Sequence, residues 1–437
     1  MLHRLSFASV LRLRGTTAPP AADVALRRWW PWVATSKIAP RPPAGATPGP
    51  AREALAGDRD LRLDLFRGIA LWLIFLDHIP NNFVNLFTLR NYGFSDATEI
   101  FIFISGYTAA FVYGRAMQER GFIVSSARIL RRAWQIYVAH IFLFTIFLAE
   151  IAYVAATFSN PLYAEEMNIL GFLKQPDVTV LQGLLLKFRP VNMDVLPLYI
   201  VLLLMFPPVL RLLLWQPAVA LVGAAAVYVV TLHFDLNLPA YPNGVWYFNP
   251  LAWQLLFVFG AWCATGGAQR LSGFLRSRLV LAAAIVYLLF AFVITLTWHF
   301  QSLAPLVPPW LAAVLYPIDK TNLDVLRFAH FLALAAITVR FVPRNWPALK
   351  WALLQPAIRC GQHSLEIFCL GVFLAFAGQF VISEWSGGPL VQTGISLLGI
   401  LIMIAAANLI AWYKRMEGRS NRARTEASPG TLAGGEA

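Results

Sequence analysis

The sequence predicts an all-α, polytopic integral membrane protein of about ten transmembrane helices with both termini cytoplasmic. Three observations predict it. Of 437 residues, 58% are hydrophobic and only 13% charged, against roughly 25% charged in an ordinary soluble domain. Several apolar runs reach the roughly 20 residues that cross a hydrocarbon core. Between those runs the basic residues alternate, abundant in one loop and scarce in the next. A soluble globule is excluded.

Residues 1–60 differ in kind. Ten Lys/Arg lie between Arg4 and Arg62, and PRPPAGATPGP occupies 40–50. Such a segment cannot bury enough apolar surface to offset ordering, so a disordered basic cytoplasmic arm is expected. The start, MLHRLSFASVLRLRG, lacks the uninterrupted apolar core of a secretory signal. Its lack of acids before Asp23 also suits an organelle transit peptide, an alternative to an arm that holds the first helix start inside. Trp29, Trp30 and Trp32 beside Arg27 and Arg28 suit a membrane interface.

Apolar runs place the spans near 66–88, 97–117, 133–158, 193–214, 217–233, 250–265, 279–298, 324–341, 364–382 and 390–412. They define a membrane domain over 61–413, followed by a disordered basic cytoplasmic tail over 414–437. With the N-terminus inside, the inward loops and the tail hold eighteen Lys/Arg. The outward loops hold five: Arg90, Lys174, Lys187, Arg189 and Lys320. That asymmetry is what an even number of spans with both ends cytoplasmic requires. The net charge of +13 is therefore largely a topology signal, and a nucleic-acid partner loses its support. No repeat of 20–50 residues and no pair of matching halves is visible, which argues modestly against an inverted-repeat transporter. Cys263, Cys360 and Cys369 have no metal-type spacing, so neither zinc nor any other metal is expected.

The first span carries the chemistry. It reads LDLFRGIALWLIFLDHIPNNF, with Asp64, Arg67, Asp77 and His78 in an otherwise apolar run. Ionisable groups inside a bilayer are expensive and mark function by default. Arg67 and His78 are eleven apart, which at about 100° and 1.5 Å per residue puts them on one face, about 16 Å apart along the axis. One side of the helix would thus present a cation near the inner interface and an imidazole near the midplane. Asp64, three residues before Arg67, is placed to pair with or orient it. An acyl-CoA donor fits this pattern: guanidinium binds phosphates bidentately, and neutral imidazole takes a proton from an attacking hydroxyl. Arg67 as a mere anchor at the headgroups and His78 as a hydrogen-bonding partner of a neighbouring helix are the alternatives; their joint placement favours function.

Leu63-Asp64-x-x-Arg67-Gly68-Ile69-Ala70 with His78 eleven after the arginine resembles the first-helix signature of the acyltransferase-three superfamily of integral membrane acyltransferases. Phe101-Ile102-Phe103-Ile104-Ser105-Gly106-Tyr107 resembles its second-helix motif, and Arg128-x-x-Arg131-Arg132 its basic third-helix entry. More closely, RDLRLDLFRGIALWLIFLDHIPNNF and GQHSLEIFCLG at 361–371 resemble the OpgC family, succinyltransferases of osmoregulated periplasmic glucans; the similarity covers roughly 59–412. The resemblance implies that His78 is catalytic, that Arg67 binds the donor, and that Ser105, Gly106 and Tyr107 line the same cavity. Ile102 and Ile104 depart from the superfamily's usual aromatic or Leu/Val residues, and Asp77 from the aromatic that often precedes the histidine; the OpgC branch shares the second departure. Asp77 is not expected to partner His78, because neighbours on a helix point about 100° apart. An outer polar pocket or another helix is its expected contact.

Glu99 could face the cavity of the first span, or with Asp96 satisfy the exposed N–H groups of a helix start. Asp324, Arg327 and His330 are spaced for a salt bridge between the first two, with His330 deeper. His140, His233, His299 and His363 are isolated and suit interfacial or hydrogen-bonding roles, with His363 a remote candidate for nucleotide binding. Asn237, Tyr241, Asn243, Trp246, Tyr247 and Asn249 suit either a sugar acceptor or an interfacial belt. Together these readings point to a multi-pass protein of a bacterial inner membrane, embedded in lipid, with no bound cofactor. It would move an acyl group from cytoplasmic acyl-CoA, succinyl-CoA being the implied co-substrate, to a hydroxyl of a periplasmic glucan or other saccharide. Direct transfer with His78 as base is simplest, and an acyl-enzyme relay is the alternative mechanism. The rival functions are a transporter or exporter of a saccharide or lipid-linked saccharide, and a structural subunit of a polysaccharide machine. Nothing in the sequence assigns an oligomeric state.

Overall fold

A computed structural model describes Leu55 and residues 59–158, 162–384 and 387–426. Most of the expected N-terminal arm, with Trp29, Trp30 and Trp32, lies outside the described residues. In chain order the helices are α1 (Leu61–Asp77), α2 (Ala97–Thr157), α3 (Leu162–Glu166), α4 (Leu170–Lys174), α5 (Pro176–Leu184), α6 (Val195–Trp215), α7 (Pro217–His233), α8 (Pro250–Trp262) and α9 (Ala268–Arg276). They continue with α10 (Arg278–His299), α11 (Pro309–Leu315), α12 (Val325–Phe341), α13 (Gln355–Gln362), α14 (Ser364–Glu384) and α15 (Pro389–Glu426). Among the described residues there is no strand, only an isolated bridge between Pro239 and Val245.

Local sequence explains the helix starts. Asp60, Asn249, Ser277 and Asp324 each accept a hydrogen bond from the N–H two residues on, satisfying a donor that the helix leaves unpaired. Asp96 and Glu99 form a complete capping box at the start of α2. Pro217, Pro250 and Pro309 occupy first turns, where a missing N–H costs nothing.

Among the described residues, six helical stretches are long and apolar enough to cross a membrane: Ala97–Thr157, Val195–Trp215, Pro250–Arg276, Arg278–His299, Ser364–Glu384 and Pro389–Glu417. The first contains two of the expected runs, separated at Gly121, whose φ of 83° breaks the helix. Three further expected runs fall on α1, α7 and α12, each 17 residues, about 25 Å and so short of the roughly 30 Å of a hydrocarbon core.

Two expectations are corrected. The first span does not continue to 88: α1 stops at Asp77 and 3-10 turns follow over Phe83–Phe87 and Leu89–Asn91. His78 therefore caps the helix instead of lying part-way along it. The stop is Pro80, which cannot donate to the helix and disfavours helical geometry at Ile79. At the other end, where a disordered tail was expected from 414, the chain stays helical through Glu426, since elongating an existing helix is far easier than nucleating one.

α1 is seated by backbone contact. A Cβ on Gly361 would lie 1.8 Å from the Asp64 carbonyl oxygen, and one on Gly68 would lie 1.8 Å from the Ala357 oxygen. The two glycines thus let α1 and α13 touch main chain to main chain, the close approach that small residues give membrane helices. Gly361→Ala should lower stability by about 1–3 kcal/mol, because the helices must separate. Gly273→Ala, where an added Cβ meets nothing within 4 Å, should leave stability unchanged or raised. Thermal unfolding of the two purified variants in one detergent checks this; equal midpoints would mean the α1–α13 contact yields freely.

Candidate functional site

α1 contributes to two cavities. The first, of about 150 Å³, is lined by Arg67 with Ser105, Thr108 and Tyr113 of α2, and by Arg132, Tyr199 and Ser364. Arg67 is buried rather than displayed at an interface. Its Nη2 donates to Thr108 Oγ1 at 2.7 Å and to the Ile104 carbonyl at 3.1 Å. Thr108 is fixed in turn by donating to the same carbonyl at 2.8 Å. Arg67 Nε is buried and has no partner among the described residues. A buried donor without an acceptor is costly, so the described residues leave one guanidinium donor of Arg67 unmatched beside the cavity. Phe101 and Phe368, with ring centroids 6.1 Å apart, form an apolar wall.

The second cavity is larger, about 720 Å³, and holds His78 and Asp77. Its walls come from three separate loop regions, at 187–195, 240–248 and Lys320, together with Arg327 of α12. His78 Nδ1 is buried without a partner among the described residues, while its carbonyl accepts from Asn192 Nδ2 at 3.3 Å. Asp77 does not engage His78; its Oδ1 accepts from Thr88 Oγ1 at 2.5 Å.

Around this cavity charges are paired. Arg189 Nε donates to Asp194 at 2.8 Å, and its guanidinium lies 4.3 Å from the Trp246 ring centroid. Lys320 Nζ lies 2.5 Å from Asp96 Oδ2, and Arg327 bridges Asp96 at 3.1 Å and Glu99 at 2.7 Å. Burial disfavours the Lys320 charge, but Asp96 and Glu99 more than offset it and hold its pKa above the ordinary lysine value.

The structure brings Arg67 and Ser105 into one cavity and His78 into the other. Asp64, Glu99, Gly106 and Tyr107, expected beside them, line neither cavity. Asp64 does not pair with Arg67: both its oxygens accept from Arg59, at 2.6 and 2.8 Å, a bidentate fork that uses up the carboxylate. Glu99 lines neither cavity; it caps α2 and binds Arg327. Gly106 faces α8, where an added Cβ would lie 1.9 Å from the Phe257 oxygen, and the Tyr107 backbone nitrogen lies against Gly260 of the same helix. Both were expected to line the cavity, yet only one face of α2 can turn toward it. Asp324 caps α12 through the Leu326 N–H and leaves Arg327 to Asp96 and Glu99. His330 Nδ1 lies 2.7 Å from Ser95 Oγ, and His363 Nδ1 lies 3.2 Å from Lys414 Nζ. Of the loop aromatics and amides, Tyr241, Asn243 and Tyr247 line the His78 cavity, whereas Asn237 and Asn249 bind loop carbonyls.

Thr108 and Tyr199 carry no motif, so sequence reasoning missed them; Ser364 lies in the GQHSLEIFCLG segment at 361–371, but nothing there singles it out. For the His78 cavity a signal existed. Of the five basic residues in the loops expected to face outward, four, Arg90, Lys187, Arg189 and Lys320, line this one cavity. Exceptions to the charge bias of a membrane protein were thus markers of a site. No three His, Cys, Asp or Glu side chains among the described residues come together as a metal-holding group.

A family model described as OpgC protein matches residues 59–415. No curated protein and no solved structure matches the chain.

Proposed function

The chain belongs to the OpgC protein family, and on that premise we propose that it is a ten-span acyltransferase of a bacterial inner membrane, on the plan of the acyltransferase-three superfamily. It takes an acyl group, succinyl by family resemblance, from cytoplasmic acyl-CoA and places it on a hydroxyl of a periplasmic glucan or related saccharide. The observation that carries this reading is α1 itself, which puts Arg67 in one cavity and His78 in another, about 16 Å apart along the helix axis.

The loop charges assign the Arg67 side to the cytoplasm. At about 150 Å³ its cavity suits the slender pantetheine arm of a coenzyme rather than the whole nucleotide, given that drug-sized ligands occupy roughly 300–1,000 Å³. Arg128 and Arg131, exposed on α2 near Arg132, are positioned to hold the phosphates outside it. The saccharide enters the larger cavity, where Tyr241 and Tyr247 offer ring faces to a sugar. There its hydroxyl oxygen attacks the thioester carbonyl while the His78 imidazole takes the hydroxyl proton. The carbon–sulfur bond breaks, the ester forms, and the proton leaves with the CoA thiol.

Purified protein in lipid nanodiscs, given labelled acyl-CoA and glucan, should produce ester-linked label on the saccharide. Unmodified saccharide crossing a vesicle membrane without acyl transfer would favour a transporter instead. Arg67→Ala should weaken acyl-CoA binding by about 1.5–3 kcal/mol, a lost charge-assisted contact, and Arg67→Lys should recover only part, because an ammonium lacks the fork. Titration calorimetry with acyl-CoA checks this; an unchanged affinity would return Arg67 to a purely structural role.

A further inference from the structure

The His78 cavity contains five basic side chains, and three of them already have carboxylate partners: Arg189 with Asp194, Lys320 with Asp96, and Arg327 with Asp96 and Glu99. Among the described residues, Arg90 and Lys187 form no salt bridge. Arg90 differs from Lys187 in how it is held. It rides on the 3-10 turn Leu89–Asn91, and that turn is tied to the end of α1. Thr88, fully buried, donates to Asp77 Oδ1 at 2.5 Å, and Asn91 Nδ2 donates to the Asn85 carbonyl at 2.6 Å. The Arg90 guanidinium makes only one long contact, Nη1 to the Asp77 carbonyl at 3.5 Å. An exposed planar fork of donors is therefore carried on a fixed turn in the wall of the cavity that also holds His78, with its donors largely unspent.

A guanidinium fork is matched to a carboxylate or phosphate oxygen pair. Taking the acyltransferase reading above as given, we infer that Arg90 selects the acyl group: it binds the free carboxylate of a dicarboxylic acyl chain whose thioester carbonyl is presented to His78. The same contact would discriminate against a neutral acyl chain, which leaves the guanidinium unmatched.

The test compares succinyl-CoA with butyryl-CoA, of equal carbon count but lacking the carboxylate, as donors for wild-type protein in nanodiscs and for Arg90→Ala, Arg90→Lys and Lys187→Ala. Arg90→Ala should lower kcat/KM for succinyl-CoA about tenfold, as expected for one charge-assisted contact at a solvated rim, and leave butyryl-CoA unchanged or improved. Arg90→Lys should keep part of the preference, and Lys187→Ala nearly all of it. An equal fall for both donors, an unchanged donor ratio, or a preference lost in Lys187→Ala but kept in Arg90→Ala would overturn the assignment. Each donor is also run with a neutral glucan oligosaccharide and with one carrying a carboxylate. If the Arg90→Ala effect follows the charge of the acceptor rather than that of the donor, the anion belongs to the saccharide and the assignment fails. Failure of the wild-type protein to transfer from any donor would instead overturn the acyltransferase reading, and this assignment with it.

Discussion

His78→Ala, in protein that still inserts and still binds acyl-CoA, should transfer the acyl group about 10²–10⁴-fold more slowly, the usual worth of a positioned base. The fold should tolerate it. His78 follows the last residue of α1 and bonds its neighbours through its backbone, N–H to the Ile74 carbonyl at 3.1 Å and carbonyl to Asn192; both bonds survive side-chain truncation. The side chain is different, because Nδ1 is buried without a partner among the described residues, so its removal strands no donor or acceptor on another residue there. His78→Gln separates proton transfer from polarity, since an amide keeps hydrogen-bonding capacity but cannot accept the proton. Single-turnover transfer with labelled acyl-CoA is the measurement. A Gln variant that acylates glucan near the wild-type rate would make His78 structural.

Arg327→Ala should cost about 3–5 kcal/mol of stability, the range for breaking a buried ion pair on one side. Glu99 is fully buried and receives the Arg327 Nε at 2.9 Å; its other oxygen accepts the Asp96 N–H at 2.9 Å. Without Arg327 one buried carboxylate oxygen is left facing nothing, and Asp96 keeps Lys320 as its charged partner beside the Thr98 N–H it caps. Arg327→Lys supplies the charge without the fork and should recover part of the loss. Because the penalty is mainly that of a stranded charge, Arg327→Met combined with Glu99→Leu should be more stable than Arg327→Met alone. Denaturation midpoints in a single detergent give both comparisons. If the double variant is no better than the single one, the two side chains are not energetically coupled.

This network shows where sequence reading stops. Arg327 and Glu99 are 228 positions apart, and nothing in either local pattern announces the pairing. Asp324, three residues before Arg327, is the partner that helix periodicity supplies, and it is consumed instead by the N–H of Leu326. Asp64 repeats the lesson: it is near Arg67 by helix arithmetic, yet it is occupied by Arg59 from outside the helix.

By itself the sequence determined that the chain is a helical membrane protein, where its apolar runs lie, and that Arg67 and His78 stand eleven residues apart at the two ends of the run that carries the ionisable residues. These follow from composition and the helical period, which are local, and from the transfer cost of polar groups, which each run expresses alone. Even the stop at Asp77 was written locally in Pro80. Only the tertiary structure decided that Ser105 shares a cavity with Arg67 while Gly106 faces α8, that Glu99 is a structural ion-pair partner, and that four cations from scattered loops line the cavity of His78. Those outcomes depend on which helix faces meet and how closely. Here that is set by glycines allowing backbones to touch, Gly68 with Gly361 and Gly106 with Gly260, and by long-range charge pairs whose members are brought together only when the helices have packed.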